Sequence, residues 1–491
     1  MNLNFLTFLP EAVLFFMALY LLFFHLYRSQ ELSNEKTAFL SFFFPKIGYY
    51  GFVLLEAAIL LNLWVMKPYY FESLENIFFF DRLSIGSKLL IFIIGISWLG
   101  IGGKSILRAF QRENMRSFEY PVLLLFSMIG SFLLVSSGHL VGIFMAILLQ
   151  MLPVIGAVSL YEDNTKASAA MMRFFILEAI CLGLFIFGVS LVYAFAEDLT
   201  FKGIATALQS TSGHPVPFYF AIIGFSMILI TFLFRLGVFP FHLWMKDFYK
   251  SASNLIVPFL FTLYFSLFVS LGRLLFQAFP GLSFLWKPLL FAAGIGSCAW
   301  GALGALFQSN IRSFFGFNYM FHLGMVFLGL SGGEESGFQA SVFYWTVYSL
   351  SANAFFFFWA HLSENDRMLD HVDQATGLGI KHPAFTLLIA LSLLSLASIP
   401  PFAGFWCKLY ILKSLIGDNG GYVLGLLVLT IIASFQYFHV IRAIYFSEAD
   451  KEIRVSYEWK TIWTFVPLFL VGFFLMQDRI FNMIPKILKV F

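Results

Sequence analysis

Apolar runs of about 18 to 25 residues recur from one end of this chain to the other, and each is the length a helix needs to cross a hydrocarbon core. A bilayer offers no water to backbone amides, so every crossing must satisfy its own hydrogen bonds, as a helix does. Roughly 14 spans are expected on this criterion. They lie near 5–27, 49–66, 84–103, 120–136, 139–160, 172–195, 216–245, 256–277, 284–306, 313–331, 338–361, 383–415, 421–445 and 461–477. Composition agrees: the chain is 60% hydrophobic and 12% charged, where soluble domains run near 45–50% apolar and about 25% charged. The expected class is an all-α membrane protein.

The first run carries Pro10 and Glu11 and lacks both a basic leading region and a small-residue cleavage site, so it reads as a retained helix. Sorted by alternate loops, about 18 Lys and Arg follow odd-numbered spans and about 8 follow even-numbered ones or lie in the tail, with about four inside the membrane. Both termini are therefore expected away from the cytoplasm, and the loop KSILRAFQRENMR (104–116) contributes most to that bias. The net charge of +3 then has a topological explanation, and no nucleic-acid partner is indicated. Cys181, Cys298 and Cys407 are isolated within predicted helices, and the chain has no CxxC pair, His/Cys cluster, GxGxxG or P-loop string. No metal, nucleotide or redox cofactor is expected on this chain.

Two spans contain proline in mid-segment: Pro240 in the seventh, and Pro400 with Pro401 in the twelfth. Proline removes a backbone donor and clashes with the preceding turn, so each helix should break where protein or water covers the freed groups. PFHLWMKDFY (240–249) and PFAGFWCKLY (401–410) share Pro-Phe, Trp, Lys and Tyr in the same order. Proline kinks are common in membrane helices and a short string can recur by chance. The alternative is one element used twice, five spans apart. That reading predicts two five-helix repeats, spans 4–8 and 9–13, in opposite membrane orientations, as in transporters. The expected units are 1–118 with three helices, 119–280 and 281–446 for the repeats, and 447–491 for the last helix and tail.

A charge near mid-membrane costs at least about 2.5–3.5 kcal/mol and marks a candidate site. Arg235 and Lys408 lie beside the two breaks, Glu178 in span 6, His322 in span 10, and Glu11 and Glu56 in spans 1 and 2. Glu11, next to Pro10, reads as an interfacial acid. His322 is open to two readings, a satisfied structural histidine or a proton carrier.

The strings FRLGVFPFHLWMKDFYKSA, SLASIPPFAGFWCKLY, EYPVLLLFSMIGSFLLVSSGHLVGIFMAILLQMLPV and the N-terminal FLPE together resemble the antiporter-like membrane subunits of bacterial NADH:quinone oxidoreductase, respiratory complex I, over nearly the whole chain. Length and the FLPE start favour the N type; the L type carries a long lateral helix for which no room follows span 14. The resemblance implies a part in coupling quinone reduction to proton translocation across the bacterial cytoplasmic (inner) membrane. It also implies that NADH, flavin, iron–sulfur clusters and quinone are held by partner subunits, with antiporter-like M-type and small K- and J-type subunits as membrane-arm neighbours. A cation/proton antiporter component of the Mrp kind and a structural spacer without its own proton path are the competing functions.

The chain departs from that family at three positions. Leu148 stands where the family has a glutamate in span 5, Arg235 replaces the lysine of span 7, and Phe265 replaces that of span 8; Lys408 keeps the lysine after the second break. A buried lysine can exchange a proton, whereas arginine stays protonated and serves as a fixed charge. Lys408 is then the expected titratable group, with His322 as its neighbour. Glu178 is either the partner of Arg235 or a packing acid that reaches an interface.

Overall fold

Helices fill the apolar runs, and prolines and glycines set where they stop. The computed structural model describes residues 8–29, 46–65, 71–73, 77–98, 119–159, 165–210, 215–252, 256–364, 367–415, 420–446, 453–455 and 464–472. The basic loop 104–116 and most of the tail lie outside them. The helices are α1 (Leu9–Ser29), α2 (Lys46–Val65), α3 (Arg82–Ile96), α4 (Glu119–Ser136), α5 (Leu140–Ser159), α6 (Thr165–Ala196), α7 (Phe201–Ser210), α8 (Pro215–Leu236), α9 (Met245–Ser251) and α10 (Val257–Arg273). They continue with α11 (Ser283–Ala305), α12 (Ile311–Ser331), α13 (Glu335–Trp359), α14 (Pro383–Leu396), α15 (Ala403–Leu415) and α16 (Gly420–Phe446). Among the described residues, eight helices are long and apolar enough to cross a membrane. The stretches Leu9–Phe23 of α1 and Tyr50–Val65 of α2, with Pro383–Leu396 of α14, are shorter and apolar.

Burial orders these helices around an axis. In α10 and α12, 94% of the apolar window is buried, against 33% in α6 and 28% in α16. The first pair are interior helices, while α6 and α16 turn most of their Leu, Ile and Phe outward. Two pairs approach closely through small residues. A Cβ on Gly130 of α4 would stand 2.4 Å from the Gln150 backbone nitrogen of α5, and one on Gly301 of α11 would stand 2.4 Å from that of Phe321 of α12. Only glycine admits such contact, which brings backbone against backbone.

The connections fall into two groups that do not mix among the described contacts. On one side, β1 (Phe71–Ser73) pairs with β2 (Phe78–Phe80), Phe78 bridges Ser137, and His139 bridges Thr200 at the head of α7. α7 then packs near the turn that follows α10, and Asp81, which caps α3, accepts from Arg273 at 2.5 Å. On the other side, Asn310 bridges His371, Arg312 pairs with Asp370 at 3.0 Å, and β3 (Leu362–Glu364) pairs with β4 (Arg367–Met368) and β5 (Arg454–Val455). The short helix α7 is not expected from the apolar pattern, because it lies along a connection and crosses nothing.

Candidate functional site

Both proline motifs interrupt a helix, and they do so in the same way. Gly237 takes φ +70 and Ser398 takes φ +58, each at the position aligned three before Pro240 and Pro401. At the first break Gly237 N bonds Phe234 O at 2.9 Å, Val238 N bonds Leu233 O at 3.0 Å and Phe241 N bonds Val238 O at 2.7 Å. At the second, the aligned bonds are Ser398 N to Ser395 O at 3.0 Å, Ile399 N to Leu394 O at 3.3 Å and Phe402 N to Ile399 O at 3.0 Å. A left-handed residue with these paired bonds is the Schellman ending of a helix. The peptide bond before the aligned proline, Phe239–Pro240 and Pro400–Pro401, is cis in both.

The freed carbonyls are covered by side chains, as a break inside a bilayer requires. Trp244 Nε1 donates to Phe234 O at 3.0 Å and the Tyr319 hydroxyl to Leu236 O at 3.1 Å. At the second break the Ser434 hydroxyl donates to Ala397 O at 2.9 Å.

Arg235 closes α8 just before the first break. It is fully buried, and its guanidinium forms an ion pair with Glu178 of α6. The Thr231 hydroxyl donates to Cys181 O at 2.9 Å one turn away, so α6 and α8 are tied twice at this level. Of the two readings of Glu178, the structure thus adopts the partner of Arg235. At the departed glutamate position, Leu148 is only partly buried. Gln150, two residues on, instead turns inward and donates to the hydroxyls of Ser131 (2.8 Å) and Ser266 (2.7 Å), joining α4, α5 and α10 through neutral groups. Phe265 is buried on α10, on an axis crowded with rings: Tyr264 and Tyr319 lie 5.1 Å apart, and Phe268 stacks on Trp345 at 5.7 Å.

Lys408 begins the second turn of α15, after the second break. It is 4% exposed, and its ammonium lies 4.9 Å from the Phe321 ring centroid. It has no salt-bridge partner among the described residues. His322 follows Phe321 on α12, the residue whose ring the Lys408 ammonium faces. Its Nδ1 lies 2.6 Å from the Tyr344 hydroxyl and its Nε2 2.9 Å from the Tyr437 hydroxyl. A small cavity of about 10 Å³ beside the break is lined by His322, Tyr344, Ser351, Ser395 and Ser398. A cavity of about 430 Å³ opens near Phe314, Val372, Asp373, Gln436 and His439. The Phe314 ring at this cavity lies 5.7 Å from that of Tyr437, edge to face.

Sequence reading named Lys408 and His322 but missed Tyr344 and Tyr437, because a tyrosine in an aromatic-rich helix carries no signal of which ring finds a histidine. Glu11 corrects the snorkelling part of its expectation: in the first turn of α1 it is 6% exposed and pairs with Lys88 of α3 at 2.6 Å. Snorkelling fails here because Lys88 comes from the neighbouring helix to meet it.

Residues 137–434 match the membrane family described as NADH:quinone oxidoreductase/Mrp antiporter. NADH-quinone oxidoreductase subunit N of Pelagibacter ubique is 31% identical over 421 residues, covering 83% of this chain and 85% of that protein. A chain in the structure of respiratory complex I from Thermus thermophilus with bound aureothin superposes with a TM-score of 0.76 at 22% identity, covering 97% of this chain and 99% of its own. One in the Mrp complex from Dietzia gives 0.77 at 17% identity, covering 98% and 97%. At such identities the two structures speak to the fold.

Proposed function

The chain belongs to the NADH:quinone oxidoreductase/Mrp antiporter membrane family, as an N-type membrane-arm subunit of a proton-translocating NADH:quinone oxidoreductase, and from that premise we propose a division of labour between its halves. Lys408 and His322 exchange protons, while Arg235 and Glu178 are a fixed pair. The observation that carries this reading is the contrast between the two cations beside the breaks. Arg235 is bound to a carboxylate, and Lys408 is equally buried with no such partner among the described residues. An unpaired buried lysine can give up its proton to become neutral, an option arginine lacks. His322 has a hydroxyl at each ring nitrogen, so it can accept on one and donate from the other. The small cavity beside it has room for about one water.

The finer architecture in this reading is fourteen spans, with 119–280 and 281–446 as two inverted five-helix repeats between a three-helix unit (1–118) and a last helix and tail (447–491). The three backbone bonds and the left-handed residue repeated at aligned positions support the repeats. The separation of the connections into two groups supports an odd number of crossings in each. NADH, flavin, iron–sulfur clusters and quinone belong to partner subunits in this reading, and the membrane-arm neighbours are of the antiporter-like M type and the small K and J types. The membrane is the cytoplasmic membrane of a bacterium.

The spacer reading draws on the first half, where Leu148, Arg235 and Phe265 offer no exchangeable proton. Lys408→Met separates the two, because it keeps side-chain length and removes the charge. In the whole complex reconstituted into vesicles, it is expected to lower proton pumping and NADH:quinone turnover while assembly persists. An assembled variant with unchanged turnover and proton-to-electron ratio would favour the spacer.

A further inference from the structure

The three N-terminal helices hold a second group of buried ionisable side chains, apart from both proline breaks. Glu11 of α1 and Lys88 of α3 form the 2.6 Å ion pair, and the Lys88 ammonium also sits 5.0 Å from the Phe80 ring and 5.9 Å from that of Phe132. Glu56 of α2 is 0% exposed, and neither of its carboxyl oxygens has a hydrogen-bond partner among the described residues. α2 packs against both α1 and α3, and a Cβ on Gly86 of α3 would stand 3.1 Å from the Trp64 ring of α2, so Glu56 lies on the helix that adjoins both members of that ion pair. Asp81, at the head of α3, is already held by Arg273. The group therefore contains two carboxyls and one ammonium. If all three were ionised, an uncompensated negative charge would sit among Leu, Ile and Phe side chains, at a cost far above that of holding a proton.

Position gives the group a direction. Phe8, before α1, packs on Phe78 and Phe80 of β2 at 4.9 and 6.0 Å, so α1 and α3 start on the same face, the one that carries β1 and β2. Glu11 lies in the first turn of α1 and Lys88 in the second turn of α3. Glu56 is nine residues from the end of α2, or about 14 Å deeper at 1.5 Å per residue. The three groups step inward from that face toward mid-membrane.

We propose that Glu11, Glu56 and Lys88 form a proton-binding site that holds one exchangeable proton on Glu56. When loaded, the proton sits on a Glu56 carboxyl oxygen and Glu11 alone balances Lys88. Release leaves a carboxylate that shares the Lys88 ammonium with Glu11, and the proton passes outward toward the β1–β2 face.

Infrared spectroscopy of the intact complex in lipid tests the site without reference to pumping. Glu56→Gln is expected to remove one protonated-carboxyl carbonyl band, and that band should shift in the wild type after exchange into D2O. Lys88→Met leaves Glu11 without a cation and should add a second such band, which Lys88→Met with Glu11→Gln should lack. A carboxyl spectrum unchanged by Glu56→Gln would overturn the proposal, as would a band that does not respond to D2O. Glutamine imitates a protonated glutamate in shape and charge, so failure of Glu56→Gln to assemble would also count against it.

Discussion

Arg235 and Glu178 illustrate what a single residue type can decide. Both are buried, 57 positions apart in sequence, and joined as an ion pair between α8 and α6. Removing one partner of such a pair leaves a bare charge in a dry site, at a cost of about 3–5 kcal/mol, whereas removing both charges can be nearly neutral. Arg235→Ala should therefore damage assembly or turnover severely, and Arg235→Lys should retain assembly and much of the activity. Arg235→Ala combined with Glu178→Gln should assemble better than Arg235→Ala alone. A double-mutant cycle on the yield of assembled complex checks this, and strict additivity of the two losses would rule out an energetic pairing. The partnership was one of two readings open in the sequence, since two opposite charges in adjacent spans have few other partners in a bilayer. The Glu11–Lys88 pair was not legible. Lys88 falls near the start of its span, where a lysine ordinarily reaches water, and only the approach of α1 to α3 brings the two together.

At the scale of elements, the breaks were visible as prolines, but their geometry was not. What ends α8 and α14 is a left-handed residue three positions earlier, and the two breaks fill that place differently, with Gly237 and Ser398. A left-handed conformation costs an L-residue about 1–2 kcal/mol, partly offset by the 0.5–1 kcal/mol or so of extra chain entropy that glycine must lose. Ser398→Gly should accordingly leave stability unchanged or raise it by up to about 1.5 kcal/mol. Gly237→Val should cost at least about 2 kcal/mol, because a β-branched residue is poorest in this region and a Cβ here would stand 2.1 Å from the Met245 sulfur. Thermal unfolding midpoints of the purified complex distinguish the two outcomes. Equal effects of the two substitutions would mean that the aligned positions do not share a conformational demand.

For the whole molecule, the two groups of connections give the sidedness a test. With the β1–β2 face outward, a cysteine at Gln209 of α7 should label from outside intact cells and one at Asp373 only after the membrane is opened, since both positions are exposed. Labelling of position 373 from outside would reverse the orientation. The sequence alone determined that this chain is a helical membrane protein, because backbone hydrogen bonding in lipid permits little else and the apolar runs are long enough to read without ambiguity. It also located the breaks and two of the buried cations, because proline and charge are costly enough in a bilayer to stand out. Tertiary structure decided that Arg235 is bound to a carboxylate while Lys408 has no such partner among the described residues, which tyrosines reach His322, and that Glu11 meets Lys88 while Glu56 is buried without a hydrogen-bond partner among the described residues. Each of these depends on which face of one helix meets which face of another, and that is fixed by packing between residues far apart in the chain, such as the glycine contacts of α4 with α5 and α11 with α12. Local pattern shows that a side chain is buried in a membrane; only packing chooses its neighbour.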